Sequence, residues 1–174
     1  GTPLIVKHDG RYQVVTTGTN SVTSYDLETG KIVWKGPGLT PNAIPSPIEK
    51  DGIVYVTSGY RGNAAFAVRL SDAKGDITNT SAILWHLDRD TPYVPSPLLH
   101  NNILYLIKSN SAILTAINVA TGKNKKERVL EAAAIIAGAL RLSGAVQSLD
   151  ENVLDNVKRK NREAGEDWVY LAVL

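Results

Sequence analysis

The chain of 174 residues contains no cysteine and no methionine. Without cysteine there is no disulfide, no thiol nucleophile and no cysteine-ligated zinc or iron–sulfur site. The absence of disulfides leaves the compartment open, because secreted proteins without disulfides are common. The joint absence of cysteine and methionine suits a designed or edited sequence as well as chance, so an engineered chimera stays one interpretation of this chain.

An excess of charge of one sign is also missing, since 19 basic and 17 acidic residues give a net charge of +2. Such a balance creates no strong field for a polyanion or a charged bilayer, and we expect neither a nucleic acid nor a membrane as partner. The most apolar run, residues 129–142, contains Glu131 and Arg141 and is too short to span a bilayer.

Patterns that carry catalysis are absent as well. The three histidines are His8, His86 and His100, and they form neither a His-x-His nor a His-x-x-x-His pair of the kind that ligates metals. There is no Gly-x-Ser-x-Gly nucleophile elbow and no Gly-rich phosphate loop of the Walker type. We therefore predict a protein without catalytic residues, metal or cofactor, that is, a non-enzyme.

What the sequence does contain is a repeat. The turn pairs Asp9-Gly10, Asp51-Gly52 and Asn101-Asn102 each precede a run of β-branched and aromatic residues. Asp-Gly and Asn-Asn supply the positive φ angles of tight hairpin turns, and the residues after them favour strands. Trp34 and Trp85 hold equivalent positions in two of the units. Units of about 40–50 residues with several short strands are typical of β-propeller blades.

Two segments carry a family resemblance. Residues 25–34, which end in Thr29-Gly30-Lys31-Ile32-Val33-Trp34, and residues 116–123 resemble the Trp-docking repeat of pyrroloquinoline-quinone-like (PQQ-like) β-propellers. The resemblance covers roughly residues 3–123. It implies that Trp34 and Trp85 dock between adjacent blades and that Gly30 and Gly122 permit the tight turns.

The PQQ-like family includes quinone-dependent dehydrogenases and also scaffolds that bind no quinone, such as the propeller subunit of the outer-membrane-protein assembly machinery. A dehydrogenase of this family needs a carboxylate base and calcium ligands, and usually an adjacent cysteine pair. No residues of this chain can be matched to that set. The resemblance therefore favours a structural or interaction role, and it suggests a bacterial periplasmic or extracytoplasmic location unless the chain is a recombinant product.

Beyond Lys123 the strand pattern gives way to a helical one. We predict a helix over residues 126–142 and a second helix from the capping box Ser148–Glu151 to about Arg162. A final apolar strand is predicted over residues 167–174. The chain thus divides into a blade domain, residues 1–123, and a helical hairpin with a terminal strand, residues 124–174, that covers the blades or mediates association. No family is recognised in this second part.

The predicted fold is mainly β with some α: two to three blades followed by the helical hairpin. Family propellers have about seven or eight blades, and an open stack leaves two unpaired faces. The leading hypothesis is a non-enzymatic structural or interaction module, closed by its own tail, by other copies of the chain or by a protein partner. Tyr60, Arg61 and Tyr93, all on loops, are the candidate binding rim.

Two alternatives stay open at the sequence level. One is a small-ligand or carbohydrate-processing enzyme with a pocket between sheet and helices, served by Asp88 or His86. The other is a natural adaptor that binds peptides by adding a strand to an open blade edge.

Overall fold

The computed structural model describes residues 1–108 and 113–125, which form three sheets of short strands with no α-helix among them. A mainly β fold is therefore confirmed for this part of the chain. The predicted helical hairpin and terminal strand fall on residues 126–174, outside the described residues, and stay predictions.

The first sheet is built by consecutive hairpins. Its strands are β1 (Leu4–His8), β2 (Arg11–Gly18), β3 (Ser21–Asp26) and β4 (Ile32–Pro37). The β1–β2 turn is Asp9-Gly10, whose φ angles of 48° and 76° are both positive, as a two-residue hairpin requires. The turn chemistry predicted from sequence is thus present.

The second and third sheets repeat this arrangement. The second contains β5 (Ile48–Lys50), β6 (Ile53–Ser58), β7 (Ala64–Arg69) and β9 (Ile83–Leu87). The third contains β10 (Leu98–His100), β11 (Ile103–Lys108) and β12 (Ile113–Asn118). An isolated antiparallel bridge between Ile117 and Asn124 begins a further pairing on β12.

The pairing registers show that the three sheets are structurally equivalent. Tyr25 pairs with Ile32 and Val68 pairs with Ile83, in each case one position after a register shift. Ile117, paired with Asn124, occupies the same place in the third sheet. The irregularity is therefore part of the repeated unit.

Two apolar clusters lie between successive sheets. Val15, Val22 and Trp34 of the first sheet share a cluster with Val54 and Phe66 of the second. A second cluster joins the second sheet to the third, and its buried members are Tyr55, Ala67, Leu104, Leu106, Ile117 and Val119. Burial of such apolar area between neighbouring sheets is the main stabilising term of a stacked repeat.

The segment between β7 and β9 is more than a turn. The polar sequence of residues 71–81 predicts only a long loop here. In the structure, a 3-10 helix (Leu70–Asp72) is followed by β8 (Gly75–Asp76), which pairs in parallel with β4 as the fifth strand of the first sheet. Ile77 next to it is fully buried. The second unit therefore covers the outer edge of the first sheet.

Candidate functional site

Tyr60, Arg61 and Tyr93 meet at one end of the strands. Tyr60 and Arg61 lie in the β6–β7 turn, and Tyr93 lies in the segment that links β9 to β10. The ring centroids of Tyr60 and Tyr93 are 5.0 Å apart, and the guanidinium carbon of Arg61 lies 5.2 Å from the Tyr60 ring centroid. The structure thus brings together the three residues named from sequence, and we call them the rim cluster.

Hydrogen bonds from neighbouring segments hold the rim cluster in place. Asn42 Nδ2 donates to the Tyr93 hydroxyl at 3.1 Å, and the Tyr60 amide donates to Thr40 Oγ1 at 3.2 Å. Both bonds come from the β4–β5 link. Three separate segments therefore converge on this end of the strands, where the bonds fix the Tyr93 hydroxyl and the Tyr60 backbone.

Thr91 fixes the β9–β10 link to the β6–β7 turn. Its Oγ1 donates to the Ser58 carbonyl at 2.6 Å and accepts from the Ala64 amide at 3.2 Å. A Cβ added to Gly59 would lie only 2.5 Å from the Thr91 carbonyl oxygen. The two backbones approach so closely that position 59 accepts only glycine without displacement.

The rim cluster combines apolar and polar contact groups. Arg61 is exposed, and Tyr60 and Tyr93 are partly buried, so each tyrosine presents an apolar ring and a polar hydroxyl. Tyrosine and arginine are enriched among the residues that dominate binding energy at protein interfaces. Stacking of the guanidinium on a ring presents its donors in a defined plane.

The two tryptophans differ in burial and in hydrogen bonding. Trp34 is fully buried, and its Nε1 donates to Gln13 Oε1 at 3.2 Å within the first sheet. Trp85 is partly buried and stacks on Tyr55 with ring centroids 6.1 Å apart. Its Nε1 donates to the Val119 carbonyl at 2.7 Å, across to the third unit.

The two turn glycines also differ. Gly30 and Gly122 have nearly the same φ, 68° and 67°. A Cβ on Gly30 would meet no heavy atom within 4 Å, whereas a Cβ on Gly122 would lie 2.7 Å from Trp85 Cγ. The second unit has Ala73 in the equivalent position, with φ of −86° after the 3-10 helix. Only Gly122 therefore combines a positive φ with direct contact to a tryptophan.

The residues named for an enzymatic alternative do not assemble into a site. His86 and Asp88 are both exposed, and the His86 ring stacks at 6.2 Å on Phe66. Within residues 1–108 and 113–125 there is no group of three or more His, Asp or Glu able to hold a metal.

The shifted pKa values belong to turns and to the core. Hydrogen bonds from the Thr29 hydroxyl and amide lower the pKa of Asp26, and bonds from Thr78 do the same for Asp76. Burial raises the pKa of Tyr55 to about 12. Each shift follows from local folding rather than from convergence of ionisable groups in a cleft.

Sequence reasoning missed the residues that support these side chains. Gln13 receives hydrogen bonds from both Trp34 and the Ser24 hydroxyl, yet it lies in an ordinary strand pattern. Asn42 and Thr91 lie in linking segments without regular structure. Asn42 and Thr91 bond residues that are 51 and 28 positions away, and no local sequence pattern predicts such contacts.

Among the described residues, no helix has the length and hydropathy needed to cross a bilayer.

The chain is similar to known proteins in sequence and in structure. The sequence model of a family described as outer membrane protein assembly factor BamB matches residues 2–156. Among solved structures, the chain is similar to BamB from Moraxella catarrhalis, with 18% sequence identity and a TM-score of 0.43. That alignment covers 69% of this chain and 34% of the relative, so the chain spans about a third of the relative's length. No curated protein matches the chain.

Proposed function

Because this chain belongs to the family described as outer membrane protein assembly factor BamB, a family of PQQ-like repeats, we propose that it is a non-enzymatic β-propeller module that binds a protein partner. The family's description names outer-membrane-protein assembly, so the proposed partner is a protein component of that process. The observation that carries the proposal is the rim cluster, in which the Tyr60 ring centroid lies 5.0 Å from that of Tyr93 and 5.2 Å from the guanidinium carbon of Arg61, with Asn42 bonded to Tyr93.

Preorganisation is what makes the rim cluster suitable. A side chain that is already held in one rotamer loses less conformational entropy on binding. The bond from Asn42 holds the Tyr93 hydroxyl, and the bond from the Tyr60 amide to Thr40 holds the Tyr60 backbone, before any partner arrives. The exposed guanidinium of Arg61 then offers hydrogen bonds to a carbonyl or carboxylate of the partner.

Residues 1–123 are proposed as the blade domain, with Trp34 and Trp85 as docking residues and Gly30 and Gly122 at the tight turns. The bond from Trp85 to the Val119 carbonyl and the contact between Trp85 and Gly122 support this role for the second pair of sheets. For the first pair, the support is the membership of Trp34 in the shared apolar cluster.

One face of the first sheet leaves an apolar row in contact with solvent. The row consists of directly paired residues on four strands: Ile5, Val14, Tyr25 and Ile32. Ile5 and Ile32 are each 59% exposed. We propose that residues 124–174, or other copies of the chain, cover this first-sheet row. The proposal does not depend on an engineered origin, which stays a prediction.

The rim proposal is tested by binding to the outer-membrane-protein assembly machinery, purified without its own propeller subunit and immobilised on a biosensor. The wild-type chain is compared with Arg61→Ala and with Tyr93→Ala. The matched control is Arg11→Ala, which removes an exposed arginine where β2 begins, at the β1–β2 turn. The rim cluster lies at the other end of the strands.

We expect saturable binding that weakens about tenfold or more in the two rim variants and is unchanged in Arg11→Ala. Absence of binding by the wild-type chain would overturn the proposed partner. Equal weakening by Arg61→Ala and Arg11→Ala would overturn the rim as the contact surface, because it would indicate a general effect of positive charge.

A further inference from the structure

An open cleft of about 360 Å³ lies between the end of β9 and the third sheet. Its walls include Leu87, Leu106, Thr115, Ile117 and Gly122. None of these residues belongs to the rim cluster. The cleft is bounded by the edge of the second sheet on one side and by the face of the third sheet on the other.

The equivalent place between the first and second sheets is filled. Val56 pairs with Phe66 on the second sheet, and Leu106 pairs with Thr115 on the third. Thr115 therefore stands where the second sheet has a phenylalanine ring. The smaller side chain leaves part of the space empty.

Ile77 fills the rest of the space between the first and second sheets. Its amide donates to the Lys35 carbonyl at 2.9 Å, which continues the parallel pairing of β8 with β4. Its side chain is fully buried in the cluster that includes Phe66, and a Cβ on Gly36 would lie 3.3 Å from Ile77 Cδ1. An extended segment thus adds to the edge of β4 and inserts one aliphatic side chain between the sheets.

The second pair of sheets lacks this segment within the described residues. β4 and β9 are equivalent strands, with Trp34 and Trp85 at matching positions after the same register shift. In the third unit, however, the tight turn at Gly122 leads at once into the pairing of Asn124 with Ile117. Within residues 1–108 and 113–125, no inserted loop returns to the edge of β9, where Leu87 replaces Gly36 and forms a side wall.

The Thr115 hydroxyl is a polar group in the wall of the cleft. The Oγ1 atom of Thr115 is buried and has no hydrogen-bond partner in the structure of residues 1–108 and 113–125, and the residue is only 7% exposed. A buried hydroxyl without a partner is unfavourable. An occupant with backbone or side-chain polar groups in the cleft would supply that partner.

We propose that this cleft binds an extended segment of a partner protein, which pairs in parallel with the edge of β9 and inserts an aliphatic side chain beside Thr115. The internal precedent is the way residues 75–77 occupy the edge of β4. Lys123 also lines the cleft, which favours a carboxylate in the bound segment, as Asp76 precedes Ile77 in the precedent. The inference rests on the proposed protein-binding function and adds a second contact surface and its chemistry.

The probe is a fluorescein-labelled peptide with the sequence of residues 73–79, Ala-Lys-Gly-Asp-Ile-Thr-Asn, titrated with the full chain and followed by fluorescence anisotropy. We expect saturable binding. A peptide with alanine in place of its isoleucine is expected to bind about tenfold more weakly or worse, because the buried aliphatic surface is lost.

Protein variants locate the peptide. Thr115→Phe reproduces the filled arrangement around Phe66 and is expected to abolish binding. Lys123→Glu, at an exposed position, is expected to weaken binding severalfold and keeps the test decisive if Thr115→Phe does not fold. The matched control is Thr57→Val, which removes another buried hydroxyl that has no partner among the described residues and lies outside the cleft lining.

The inference is overturned if the wild-type chain does not bind the peptide, which is also the outcome if residues 126–174 already fill the cleft. It is equally overturned if folded Thr115→Phe, or Lys123→Glu, binds like the wild type. Arg61→Ala should leave peptide binding unchanged. Loss of machinery binding in Arg61→Ala, with no peptide binding by the wild type, would refute the cleft alone and leave the rim proposal standing.

Discussion

At the scale of single residues, the two turn glycines separate backbone conformation from packing. Replacement of either by alanine places a side chain at positive φ, which costs about 1–2 kcal/mol. Only the Cβ of Gly122→Ala also collides with Trp85, 2.7 Å from its Cγ. We predict that Gly30→Ala lowers the free energy of unfolding, measured in urea, by about 1 kcal/mol. The loss for Gly122→Ala should be about 1–3 kcal/mol larger than that for Gly30→Ala. Equal losses would contradict docking of Trp85 on this turn.

Tyr55 provides a prediction for alkaline pH. Burial raises its pKa from an ordinary value of 10.0 to about 12 in the folded protein. The folded chain therefore keeps a proton that the unfolded chain releases, and the stability from this group is present below pH 10 and is lost as the pH rises to about 12. Tyr55→Phe should flatten the fall in the free energy of unfolding over that interval. Tyr12→Phe, at an exposed tyrosine, is the matched control, and an unchanged slope in Tyr55→Phe would refute the assignment.

How far sequence predicts individual residues depends on whether their role is local. Asp9-Gly10 and Gly122 announce tight turns because the required φ angles restrict the residue type. The partners of the tryptophans are different, since Gln13 and Val119 are set by how strands and units pack. Nothing in a strand pattern distinguishes a glutamine that accepts an indole hydrogen bond from one that faces solvent.

At the scale of elements, β8 is a strand too short to be predicted from its sequence pattern. Two residues, Gly75 and Asp76, give no alternation, so the segment reads as a polar loop, and only Ile77 hints at burial. Its pairing with β4 protects an outer strand edge that is otherwise open to another chain. The longer strands β2, β6 and β11 follow their turn pairs as predicted.

Ile77→Ala measures what this segment contributes. The substitution removes a fully buried side chain between two sheets, and we predict a loss of about 2–4 kcal/mol in the free energy of unfolding. Leu27→Ala, at a turn position that is 47% exposed, is the matched control and should change stability by about 0.5 kcal/mol or less. Both values come from urea unfolding. If the two variants were equally stable, Ile77 would not be part of the core.

At the scale of the whole molecule, the repeat accounts for the three sheets, their equivalent registers and the two clusters between them. The sequence predicts this much because each unit carries its own turn pair and strands, and the first two units carry a tryptophan at the matching position. It does not predict which loops meet at the rim, since Tyr60 and Tyr93 are brought together by the links between sheets. The unequal filling of the two inter-sheet spaces also depends on single substitutions, such as Thr115 in place of Phe66.

The central proposal for the whole molecule is that the first-sheet row is covered, because exposed contiguous apolar surface is unfavourable in a monomer. The most direct measurement is hydroxyl-radical footprinting of the full chain over a range of concentrations, with rates corrected for intrinsic reactivity. We predict that Ile5, Tyr25 and Ile32 react more slowly than Leu27. Protection that is independent of concentration identifies the chain's own tail as the cover, and protection that grows with concentration identifies other copies. Reaction of Ile5 and Ile32 as fast as Leu27 at every concentration would contradict the claim.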